Sequence, residues 1–123
     1  MTLTITSEHV KDGKYIGVND VTAWQGSIEI AADLGTVSFA SGLSATGSIA
    51  ALAGSGIKAG GGIEAGLSVT CAAVLTTKYR VFAGLATWKA TVTADESRVT
   101  CERFVGGTVA FGTLVETDKM MTA

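Results

Sequence analysis

Between residues 37 and 83 an aliphatic side chain recurs every six positions, and nothing else in the chain restricts its fold as tightly. The series runs Val37, Leu43, Ile49, slips by two residues around Ala53 and Gly54, and resumes at Ile57, Ile63, Val69, Leu75 and Val81. Two positions after each anchor stands a partner, usually small: Phe39, Ala45, Ala51, Ala59, Ala65, Cys71, Thr77 and Ala83. A unit this short cannot bury its own apolar face and must stack on its neighbours. Strand side chains alternate faces, so anchor and partner point one way and the residue between them the other. Lys58, Glu64 and Thr70 fill that middle position, as an outward face requires. The pattern predicts an all-β chain: a short β-helix (β-solenoid) of six-residue repeats, three to a coil, with coils about 4.8 Å apart.

The composition agrees. There are 16 glycines and no proline in 123 residues. Glycine costs roughly 0.5–1 kcal/mol relative to alanine inside a regular element, so this many need a structural use, and tight corners are one. Disorder would bring high net charge and few β-branched residues. This chain has a net charge of −2 and 47% apolar residues.

The length fits one domain, residues 1–123. Residues 1–25 are expected to form N-terminal strands and a cap, with Trp24 covering the end of the stack. TLTIT alternates as a half-buried strand does, and KDGK at 11–14 is a hairpin turn signal. Residues 26–84 form the repeat β-helix. Residues 85–116 are expected to be C-terminal strands, and 117–123 a tail. Val92, Val99, Cys101, Val109 and Phe111 alternate in the manner of an antiparallel meander, with turns at 94–97 and at Gly106 and Gly107.

Signs of catalysis are sparse. The one histidine, His9, has no nucleophile pattern around it and reads as a surface or capping residue. Cys71 and Cys101 stand 30 positions apart with no second ligand pair, which fits two buried thiols better than a metal site or a disulfide. Gly60, Gly61 and Gly62 are followed by Ile63 and Glu64, not by the Lys and Ser or Thr of a phosphate loop. No enzyme activity, cofactor or metal is therefore expected. The small net charge gives no basis for direct nucleic-acid binding. The uncharged window 34–57 is too rich in hydroxyls and glycine to favour lipid. The start, MTLTITSEHV, has no basic region followed by an apolar run, so a targeting segment is not expected there. So few short units should not stand alone, and the open end of a stack invites pairing, so a homodimer is expected.

Larger side chains gather after the repeats. With Val81 and Ala83 inward, alternation places Lys78, Arg80 and Phe82 outward together, and Trp88 follows. Cations beside exposed aromatics suit a protein interface, which makes these four the candidate partner-binding residues.

The run GSGIKAGGGIEAGLSV (54–69), the following YRVFAGLATW and the terminal VTCERFVGGTVAFGTLVE together resemble small Gly-rich proteins of bacterial prophages and mobile elements, whose repeats read AGGxIxAG. The resemblance covers residues 54–116. Small phage proteins of this kind include anti-CRISPR and other anti-defence inhibitors. What it implies is a cytoplasmic, non-enzymatic protein that binds and inhibits a host defence complex by occlusion. The repeats also resemble those of bactofilins, although the long array of such filaments is missing. The alternative expectation is thus a self-assembling structural β-helix protein, a virion or filament component.

Overall fold

The computed structural model describes residues 2–17, 21–85, 91, 93 and 95–116. It is all-β apart from two 3-10 turns, Ser7–His9 and Asp95–Ser97. Among the described residues twelve strands form one sheet that curls almost closed: β1 (Thr2–Ile5), β2 (Val10–Lys11), β3 (Lys14–Tyr15), β4 (Ser27–Ile30), β5 (Gly35–Phe39), β6 (Leu43–Ala45), β7 (Ile49–Ala51), β8 (Ser55–Ala59), β9 (Ile63–Ala65), β10 (Val69–Phe82), β11 (Arg98–Phe111) and β12 (Thr113–Glu116).

The pairings fall into three rows. In the first, Leu3, Ile28, Ile49, Val69, Val99 and Leu114 lie side by side on successive strands. In the second the series is Val37, Ile57, Leu75 and Phe104, with Lys14 beside Ser38 at its start. In the third it is Leu43, Ile63, Val81 and Val109, and Trp24 bridges to Ala45 below them. The chain visits first, second and third row in that order again and again. β10 and β11, 14 residues each, pass through all three. Every pair is parallel except the β2–β3 hairpin, where Asp12 and Gly13 both take positive φ (54° and 77°), as a tight two-residue turn demands.

The six-residue spacing explains the burial. All eight anchors and all eight partners are buried, and the anchors pair with anchors, Val69 with Ile49 and Leu43 with Ile63, while partners pair with partners, Cys71 with Ala51 and Ala45 with Ala65. Lys58, Glu64 and Thr70 are exposed between them. The two-residue slip is a wider corner between first and second rows, built twice in succession. There Asp33 N–H donates to the Ala53 carbonyl (2.9 Å) and Gly35 N–H to that of Gly54 (3.0 Å). Ser55, fully buried, braces this corner: its hydroxyl donates to the Ala31 carbonyl and accepts from Leu34 N–H. At the next level the corner is narrow, and the Cys71 thiol lies 3.5 Å from the Val74 carbonyl.

Two expectations change. The C-terminal strands are not an antiparallel meander: β11 runs parallel to both β10 and β12. Alternation is the same for either direction of pairing, but the five-residue spacing of Val99, Phe104, Val109 and Leu114 keeps each of them in one of the three rows. The segment expected as a cap also joins the rows, because Leu3 and Ile5 pair beneath Ile28 and Ile30. Trp24 is half-buried against the core while its backbone extends the third row.

The two ends of the stack differ. At the first end Ile5 is 0% exposed and Leu3 8%, with Val10, Tyr15 and Trp24 packed against the core. At the far end Phe104, Val109 and Leu114 are only partly buried, and Phe111 is 51% exposed. Among the described residues no helix is long and apolar enough to cross a membrane.

Candidate functional site

Lys78, Tyr79 and Arg80 form the corner between the second and third rows. The corner triplet on the strand beneath is Gly60, Gly61 and Gly62, since Thr77 sits over Ala59 and Val81 over Ile63. These glycines cannot be exchanged freely: a Cβ on Gly62 would come within 2.7 Å of the Arg80 carbonyl oxygen. On the other side Gly107 lies so close that a Cβ there would collide with the Tyr79 carbonyl. The three large side chains therefore stand between two neighbours that have none, and a groove opens beside them.

The strand itself is distorted at this point. Thr77 pairs with Gly106 and Arg80 with Thr108, so Lys78 and Tyr79 face the single residue Gly107, which makes a bulge. Both of their amide groups point at the Gly61 carbonyl (3.3 and 3.4 Å). The buried Thr77 hydroxyl donates to the Tyr79 carbonyl at 3.2 Å and holds the bulge from inside. As a result Lys78, Tyr79 and Arg80 are exposed in succession, and Tyr79 alone is 58% exposed.

The groove has a volume of about 520 Å³. Lys78, Tyr79, Arg80 and Gly62 line it together with Glu64 and Phe82, which pair across adjacent strands. Gly107 and Thr108 complete it from β11. The Lys78 Nζ lies 5.4 Å from the centroid of the Tyr79 ring, within reach of a cation–π attraction. Arg80 forms no ion pair among the described residues, so its planar set of donors is left to solvent or to a ligand.

Three of the four expected partner-binding residues, Lys78, Arg80 and Phe82, thus line one groove, and Trp88 lies outside the described residues. Simple alternation passed over Tyr79, because it assigns that position to the interior, whereas a corner residue has no interior face. The signal was in the phase: Thr77-Lys78-Tyr79-Arg80-Val81 aligns with Ala59-Gly60-Gly61-Gly62-Ile63 at a separation of 18 residues. Glu64 was correctly outward, but its place in the groove depends on the glycine corner beside it.

Other chemistry-bearing groups lie elsewhere. His9 closes the first 3-10 turn, its Nδ1 accepting from Thr6 N–H at 3.1 Å. Cys71 and Cys101 are buried, form no disulfide, and occupy facing strand positions in the first row. Burial pushes both up, Cys101 to about 12 with further contributions from the charges of Cys71 and Glu116. Such thiols are poor nucleophiles at neutral pH. Among the described residues no three His, Cys, Asp or Glu side chains converge.

The chain matches no protein-family model, no curated protein and no solved structure.

Proposed function

We propose that the chain is a short β-helix of six-residue repeats that works as a protein-binding module through the corner groove. The observation that carries the reading is the placing of Lys78, Tyr79, Arg80 and Phe82 along one groove, on a corner where both neighbouring levels are glycine. Arginine and aromatic side chains are the types enriched where protein partners bind most strongly. The likeness of residues 54–116 to small Gly-rich phage proteins adds the finer reading. In it the module is a cytoplasmic, non-enzymatic inhibitor from a mobile element, which occludes a host defence complex without a cofactor.

The test is expression in bacterial strains that carry active CRISPR or other defence systems, challenged with a phage those systems restrict. Wild-type protein should restore plaques in one of the strains, and K78E/R80E, with an unchanged circular dichroism spectrum, should not. Restoration by both proteins would remove the groove from the account. Failure of the wild type in every strain would remove the inhibitor reading.

A second reading has its own observation. The far end exposes Phe111 and leaves Phe104, Val109 and Leu114 half-covered. That surface is chemically the same as the interior of the stack, so a second copy meeting it end to end would continue the core. Limited to two copies this gives a homodimer; repeated at both ends it gives the structural, self-assembling alternative.

A further inference from the structure

The groove carries more information than the residue types of an interface, because its charges are uneven. Two cations, Lys78 and Arg80, and one anion, Glu64, line it, for a local charge of +1 in a chain whose net charge is −2. The two cations are not used internally: Lys78 leans on the Tyr79 ring and Arg80 forms no ion pair among the described residues. Tyr79, 58% exposed, and the half-buried Phe82 flank them.

We infer that the groove takes an extended protein segment bearing a carboxylate side chain next to an apolar or aromatic one. The carboxylate meets Arg80 and Lys78, and its apolar neighbour lies on Tyr79 and Phe82. Three features favour this chemistry over others. A guanidinium with free donors is the best match for the two oxygens of a carboxylate. Gly62 and Gly107 also line the groove and add no side chain that would compete with a bound segment. Glu64 opposes a polyanion such as single-stranded nucleic acid, which would bring successive phosphates past it, but it tolerates a segment with one acidic residue followed by a donor or a basic side chain. The inference rests on the groove being the partner site, and it adds what the partner must present.

The experiment pans the full chain against a library of short random peptides, with K78E/R80E and E64K as parallel baits and labelled oligothymidylate as the nucleic-acid probe. Lys78, Arg80 and Glu64 are all exposed, so the variants keep the fold and circular dichroism verifies it. Wild type should enrich peptides pairing Asp or Glu with an apolar residue. Those peptides should lose about tenfold or more in affinity for K78E/R80E and gain several-fold for E64K, because the two charge reversals shift the same charge balance in opposite directions. Enrichment of basic or neutral sequences, or no enrichment, overturns the inference, as does oligothymidylate binding that depends on Arg80 and exceeds that of the peptides. If that happens while K78E/R80E still abolishes inhibition in cells, the groove remains the partner site and only the acidic-segment chemistry falls. Acidic peptides that bind all baits equally overturn both.

Discussion

At the scale of single residues, inward positions tolerate neither charge nor added bulk, and outward ones tolerate both. Ile63 is 0% exposed, so I63D buries an unpaired carboxylate and should abolish soluble folded protein, whereas E64K one position on should leave thermal stability nearly unchanged. Equal tolerance in a thermal melt would mean that the inward phase is wrong. Glycine positions should rank by what surrounds them. G107A drives a methyl into the Tyr79 carbonyl and should cost about 1–3 kcal/mol, enough to lower the melting temperature by several degrees. At Gly35 the backbone has φ +68° but nothing lies within 4 Å of a new Cβ, so G35A should cost only about 1 kcal/mol. The reverse order in matched melts would place the close approach elsewhere. The thiols set a pH dependence. Both have raised folded values, so their contribution is fully present below the ordinary value of 9.0 and is lost as pH rises above it, for Cys101 towards about 12. Urea midpoints should therefore fall in alkaline solution, and less steeply for C101A than for wild type; identical slopes would show that the Cys101 thiol is not held neutral by burial.

At the scale of elements, the six-residue spacing of the anchors was legible and the bulge was not. A fixed period assigns every anchor to a row without any knowledge of the partner strand, which is why Val37 to Val81 could be phased from the sequence. The bulge at Lys78 and Tyr79 depends on β11 supplying one residue, Gly107, opposite two, and pairing between strands some 30 residues apart leaves no mark in local alternation. The same limit explains the C-terminal strands: Val99, Cys101, Val109 and Phe111 alternate in a way that suits either direction of pairing. The groove depends on the bulge, so T77V, which removes the hydroxyl that holds the Tyr79 carbonyl, should cost about 1 kcal/mol in stability yet weaken partner binding. Binding by isothermal titration that follows stability alone, with no further loss, would count against a bulge-shaped site.

At the scale of the whole molecule, three rows of parallel strands produce both candidate surfaces, the corner groove and the open far end. Light scattering over a concentration series separates the functional readings: a fixed dimer accords with a binding module closed by a second copy, growing assemblies accord with a structural protein, and a monomer at every concentration contradicts pairing at the far end. Both surfaces require β11 to continue the stack, because only then does Gly107 lie over the Lys78–Arg80 corner and do Phe104, Val109 and Leu114 end the three rows. Interstrand nuclear Overhauser effects in isotope-labelled protein test that placement most directly. Parallel contacts are expected between residues 69–71 and 99–101, with Cys71 beside Cys101, and between Val99 and Leu114. Antiparallel contacts folding residues 98–104 back onto 106–113, with none to β10, would contradict it.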